Sequence, residues 1–198
     1  MKHLILTGAL FLAIACHQKN STNDVRAGKG GADSAKKAFF PVLDYLNGEI
    51  AYVDSTPIAI SKYNTEGTKT DSTFISPQEF HQLAQEFIAP ELDSASFNRE
   101  YEETSFMDET TKQLTLTYST GNGKLTVQRV DVLARQTDDG ASKVSGIYLE
   151  KRENRHDTLV VKKMYWQPKK QFQVTTMAGP KGQDTRVRQL KVVWNIRE

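Results

Sequence analysis

The 198-residue chain contains one cysteine, Cys16, and four histidines, of which only His81 and His156 lie beyond residue 20. One thiol cannot form an internal disulfide, so packing alone must hold any fold. A zinc site draws three or four Cys, His or carboxylate ligands together at characteristic spacings, and the chain has no such set. It also lacks a Gly-x-Ser-x-Gly nucleophile elbow, a Gly-x-x-x-x-Gly-Lys-Ser/Thr loop and an Asp-x-Asp-x-Asp-Gly calcium loop. Gly121-Asn122-Gly123-Lys124 has the glycines of a phosphate loop without the spacing, and Asn-Gly between two strand-like runs reads as a turn. Long apolar runs are missing as well. The stretch from Leu4 to Ala15 falls short of the roughly 20 residues that span a bilayer as a helix.

That stretch is nonetheless informative. It follows the basic start Met1-Lys2-His3 and ends in Leu12-Ala13-Ile14-Ala15-Cys16. A short basic start, an apolar stretch and small residues before a cleavage point make a secretory signal. The arrangement resembles the lipobox of bacterial lipoprotein precursors: Ala15 and Cys16 match it, and Ala13 stands where that family more often has Leu. The resemblance covers the signal only. It implies a signal peptide at 1–15, lipidation of the Cys16 thiol, and Cys16 as the acylated first residue of the mature chain. Several acyl chains on one residue give stable anchoring where a single chain gives only marginal binding. The implied location is the cell envelope, on a membrane outside the cytoplasm, the outer membrane being the expected one. Nucleic acid is not an expected partner there.

Residues 16–36 are dominated by Asn, Ser, Thr, Lys, Asp and Gly, with Val25 the only large apolar side chain. Such a segment buries too little surface to offset its ordering entropy and reads as a flexible tether. Residues 37–198 are the right length for a single domain with one core. Charge is unevenly placed along them. Asp44 to Lys112 holds 14 acidic and 4 basic residues, whereas Lys143 to Glu198 holds 13 basic and 5 acidic. Either the two halves pack together and neutralise each other, or the second half presents a basic face to anionic headgroups or an acidic partner.

Phe39, Leu43, Leu46, Ile50 and Val53 recur at the spacing of one helix face, predicting a helix from about Lys37 to Asp54, closed by Thr56-Pro57. Ser76-Pro77-Gln78-Glu79 predicts a second: Ser76 as cap, Pro77 at the first turn, Glu79 returning a bond to the cap. Phe80, Leu83, Ala84, Phe87 and Ile88 form its apolar face, and Pro90 ends it. Between them, Ile58–Tyr63 and Thr70–Ile75 predict a hairpin around Asn64-Thr65-Glu66-Gly67. Ser94 to Phe106 is ambiguous, its start suiting a helix and its end a strand. From Thr111 onward six strand-like runs follow at short intervals: Thr111–Ser119, Lys124–Arg135, Val144–Arg152, Thr158–Trp166, Gln171–Met177 and Thr185–Asn195. Their alternating apolar positions predict a half-buried antiparallel sheet, and the short connections predict a meander. The expected fold is α+β, with two N-terminal helices packed on a curled antiparallel β-meander sheet.

Candidate chemistry is sparse. Glu100, Glu102, Glu103, Asp108 and Glu109 are the densest carboxylates, and paired carboxylates can hydrolyse glycosides; a solvated acidic face is the plainer reading. Tyr148, Tyr165, Trp166 and Trp194 are interleaved with Arg152, Lys162, Lys163, Arg188 and Lys191, and filling the sheet's buried face is their plainest use. Neither a cofactor nor a metal is implied, and Cys16 is the sole site residue. The expected function is that of a non-catalytic, membrane-anchored envelope lipoprotein acting as a binding or scaffolding component, with another envelope protein or an apolar ligand as partner. A carrier of a lipid or other apolar ligand in a sheet-helix groove is the alternative, and an acid/base hydrolase using the Glu100–Glu109 cluster is a third.

Overall fold

The period-two alternation of the second half is realised most plainly at Val130, Val132 and Ala134, which are buried between less buried neighbours. The computed structural model describes residues 39–137, 140–180 and 185–194; the signal segment, Cys16 and the tether lie outside the described residues. Among the described residues nine strands form one antiparallel sheet: β1 (Ile60–Glu66), β2 (Lys69–Ile75), β3 (Glu102–Asp108), β4 (Gln113–Ser119), β5 (Val127–Gln136), β6 (Ser142–Arg155), β7 (Thr158–Gln167), β8 (Gln171–Pro180) and β9 (Arg186–Val193). Strands β3 to β9 run as a meander, and the β1–β2 hairpin adds beyond β9, giving the order β2-β1-β9-β8-β7-β6-β5-β4-β3. Two register irregularities interrupt the β5–β6 ladder, between Val127 and Arg129 and between Leu133 and Ala134; such bulges bend a sheet and increase its twist.

Among the described residues three α-helices accompany the sheet where two were expected: α1 (Val42–Ser55), α2 (Pro77–Ala84) and α3 (Ser94–Glu100). The third comes from the ambiguous segment, and both of its tendencies are satisfied. The Asp93 carboxylate accepts from the amides of Ala95 and Ser96 and so starts α3. Phe97 buries, Tyr101 turns the backbone extended, and β3 begins at Glu102.

The first helix starts later than its apolar stripe. Pro41 is its N-cap, and the residue before a proline avoids helical geometry, so Phe39 and Phe40 pack as an extended lead-in. Phe39 lies against Phe97 and Tyr118, and the Phe40 amide donates to Tyr118 Oη at 3.1 Å. In α2 the Ser76 hydroxyl accepts from the Glu79 amide at 3.1 Å. The Glu79 carboxylate does not return a bond to the cap; it pairs with Lys62 on β1. The β1–β2 turn also sits later than predicted, at Gly67-Thr68, where Gly67 supplies the positive φ of 58°.

All three helices cover the same face of the sheet. From α1, Val42, Leu46, Ile50 and Val53 are buried, and from α2, Phe80 and Ala84. Beneath them lies an aromatic cluster: Phe80 meets Trp194 edge-on at 5.2 Å, Phe87 meets Trp166 edge-on at 5.1 Å, and Trp166 stacks on Phe172 at 5.4 Å. Each fully buried side chain of this size contributes about 1.5–3 kcal/mol, with edge and stacked ring pairs adding to that. Trp166 and Trp194 thus serve the core, whereas Tyr165 lies half-buried on the opposite face. A charged group of α1 enters the interior: Glu49 accepts from the Lys169 amide at 2.8 Å and from Trp166 Nε1 at 3.5 Å. It ties the helix to the β7–β8 turn.

Candidate functional site

Reading the strand register across the helix-covered face shows a change of chemistry from one end to the other. Val192, Phe172, Trp166 and Ile147 stand side by side across β9, β8, β7 and β6, with Lys62 at the β1 end of the row. One step along comes Leu190, Val174, Met164 and Leu149, with Asn64 on β1. The next row is Glu66 on β1, then Arg188, Thr176, Lys162 and Lys151, and beyond it on β9 stands Arg186. The helices cover the apolar rows. The charged rows are left open and wall a concavity of ≈ 810 Å³.

This concavity is bounded by β1, β2, β7, β8, β9 and α2. Leu83, Val174 and Leu190 supply its apolar surface; Lys69, Asp71, Glu66, Glu86, Lys162, Arg186 and Arg188 supply its charge. A pocket of a few hundred to a thousand cubic ångströms, part apolar with convergent polar groups, is the usual form of a ligand site.

The charges are largely engaged with each other. Arg186 Nε lies 2.7 Å and Arg188 Nε 3.4 Å from the two oxygens of Glu66. Lys162 Nζ lies 2.6 Å from Glu86 Oε2 and 4.0 Å from Glu153 Oε1. Behind Lys162, its cross-strand neighbour Lys151 is buried and donates from Nζ to the Glu86 carbonyl at 2.5 Å. Burial pushes the Lys151 ammonium below the usual lysine range, with Glu86 opposing the shift and Lys162 adding to it. Lys69 and Asp71 differ from the rest: among the described residues neither has an ion-pair partner.

These contacts also resolve the charge asymmetry of the sequence. Carboxylates of the acidic half, Glu66 and Glu86, face cations of the basic half, Arg186, Arg188 and Lys162. Alternation also divides the basic residues of β7 and β9 between two faces, Lys162 and Arg188 on the helix-covered one and Lys163 and Lys191 on the other.

The sequence-derived candidates do not converge. His81 is exposed on α2, with Nδ1 2.8 Å from Asp54 Oδ2, and His156 occupies the β6–β7 turn with φ 54°. The carboxylates from Glu100 to Glu109 are strung along β3 and its ends, and six residue steps of strand cover about 20 Å. Glu100 pairs with Arg99 and Glu109 with Lys112. The Asp108 carboxylate accepts from the amides of Thr110 and Thr111 and from the Thr111 hydroxyl, closing the β3–β4 turn. Hydrogen bonds from Thr111 hold the Asp108 carboxyl below its usual range. Among the described residues no three His, Cys or carboxylate groups are placed to hold a metal, and no helix is long and apolar enough to cross a membrane. Cys16 lies outside the described residues.

The charged concavity went unpredicted, although its signal is present in the sequence. On one parity of β9 the residues run Arg186, Arg188, Leu190, Val192, and on one parity of β7 they run Lys162, Met164, Trp166. A same-face series that switches from charged to apolar marks where cover on that face ends. Comparison with protein-family models, with curated proteins and with solved structures finds no match for the chain.

Proposed function

We propose that this protein is a non-catalytic lipoprotein of the cell envelope, held through acyl chains on Cys16 to a membrane outside the cytoplasm, the outer membrane being the simplest assignment. The signal ending in Ala15-Cys16 and the polar segment up to residue 36 support the anchor and tether. The folded domain serves as a binding component, its sheet curled around the helices and its site the uncovered end of the inner face. One observation carries this reading: a concavity of ≈ 810 Å³ in which charged and aliphatic side chains face each other. Two of its carboxylates, Glu66 and Glu86, are matched by salt-bridged cations, an arrangement suited to holding a polar ligand. The aliphatic patch of Leu83, Val174 and Leu190 favours a second reading, a carrier, but for an amphiphile with a polar head and not for a wholly apolar molecule. The spread of the Glu100–Glu109 carboxylates along β3 gives a hydrolase no support.

Two measurements test the proposal. Fatty-acid label enters the wild-type chain and is absent from Cys16→Ser; label retained in that variant removes the lipoprotein assignment. Capture from detergent-extracted envelope, with mass spectrometry of bound protein and lipid, tests the site. The double variant Arg186→Glu/Arg188→Glu changes two exposed side chains and is expected to lose the bound species. The same species on both proteins places binding elsewhere.

A further inference from the structure

The concavity has one wall with an unused bonding capacity. Strand β2 is an edge of the sheet, and six of its seven residues are exposed. Natural edge strands are usually blunted by proline, bulges or inward-turned lysines, or covered by another element. Strand β2 has no proline, and its register with β1 is unbroken from Ile60↔Ile75 to Glu66↔Lys69. Its inward-turned charges, Lys69 and Asp71, face the concavity and are opposite in sign, so a strand of complementary charge can neutralise both.

The geometry of the hairpin shows which groups stay open. In an antiparallel pair, residues alternate between those that exchange both backbone bonds with the partner and those that exchange none. The Thr65–Thr70 pair brings its hydroxyls to 2.9 Å, the close approach of a non-bonded pair. Thr70, Ser72 and Phe74 therefore point their N–H and C=O groups away from β1, toward the open edge. On the intervening residues, Lys69 and Asp71 direct unpaired opposite charges into the concavity. Phe74, 76 % exposed, stands on the other face.

We propose that β2 receives an extended peptide as a tenth strand, the peptide's alternate side chains entering the concavity. This deepens the binding reading above and rests on the same site. The occupant is an antiparallel segment carrying a basic residue opposite Asp71, an acidic residue two positions later opposite Lys69, and apolar residues on the other face beside Phe74. Main-chain bonds to Thr70, Ser72 and Phe74 supply affinity, and the two charges supply register; strand addition to an exposed edge works in this way.

The test uses the full chain carrying Cys16→Ser and a fluorescein-labelled peptide, Thr-Val-Thr-Val-Lys-Val-Glu, followed by fluorescence polarisation. Saturable binding is expected. Ser72→Pro removes one edge-facing N–H at a position where an edge strand tolerates proline, and it weakens binding at least tenfold. Lys69→Glu weakens it similarly, and replacing the peptide's Glu by Lys restores it. Absence of binding at millimolar peptide, or equal affinity for both variants, overturns the proposal. A chain that is dimeric by light scattering and becomes monomeric with Ser72→Pro also overturns it, because the edge then belongs to a second copy. If Ser72→Pro keeps its envelope-derived ligand while Arg186→Glu/Arg188→Glu loses it, strand addition fails and the concavity remains the binding site.

Discussion

Tyr165 lies across Gly146. A β-carbon on Gly146 would sit 2.5 Å from Tyr165 Oη and 2.7 Å from Cε2, so the ring occupies the space that any other residue would fill. The two belong to neighbouring strands on the face without helices, where Tyr165 pairs directly with Tyr148. Gly146 also adjoins the irregularity at Leu133/Ala134. An aromatic ring laid over a strand glycine restores the side-chain packing that the glycine lacks.

Gly146→Ala is therefore expected to displace the ring and destabilise the domain by about 1–3 kcal/mol, as overpacking does. The urea midpoint reads the loss. In a Tyr165→Ala background the same substitution should cost much less, since the obstacle is gone. Additive effects in that double-mutant cycle would show that the two residues do not compete for space.

The cap of α2 gives a second expectation. Ser76 Oγ accepts from the Glu79 amide, and Ser76→Ala should lower stability by about 0.5–2 kcal/mol. Glu79→Gln separates the cap from the ion pair, because the Glu79 carboxylate bonds Lys62 and not Ser76. It is expected to cost less than Ser76→Ala and to lose that cost in high salt. An unchanged urea midpoint for Ser76→Ala would mean the observed bond is not capping the helix.

Local chemistry made much of this fold legible. Ser76-Pro77 marks one helix start, Thr56-Pro57 follows one helix end, and the six late strand runs follow from alternation between turn residues. What the sequence concealed depends on neighbours far along the chain. Phe39 continues the helical stripe of Leu43 and Leu46, yet it packs outside the helix because Pro41 follows Phe40 and Tyr118 offers the Phe40 amide a partner 78 residues away. Ser94 to Phe106 reads as both helix and strand because Asp93 caps one half while Tyr118, paired with Glu103, draws the other into the sheet. The concavity depends on β1 pairing with β9. That pairing brings Glu66 to Arg186 and Arg188 across more than a hundred residues, and no local pattern specifies it.

Alkaline pH tests the packing of the tyrosines. Burial raises the phenol of Tyr45 to about 12 and that of Tyr118 to about 12, and it raises Tyr101, Tyr148 and Tyr165 as well. For Tyr45 the charge of Glu49 adds to the shift, and for Tyr101 those of Glu91 and Glu100. An unfolded tyrosine ionises near 10. Above that pH the unfolded chain has released protons that the folded chain still holds, so stability falls as pH rises. This contribution is fully present below about pH 10 and is lost as pH climbs through the folded values. Lys151 has the opposite sign. Its depressed ammonium makes the folded state release its proton first, and stability rises between the folded value and the ordinary 10.5. Five raised tyrosines against one lowered lysine predict net alkaline unfolding. Phenolate absorbance from the five should therefore appear together with loss of the sheet's circular dichroism. Tyr118→Phe removes one ionising group, and although it gives up the acceptor of the Phe40 amide, it should make the transition less steep with pH. All seven tyrosines ionising near pH 10 with the circular dichroism unchanged would show that these rings are not held in the interior.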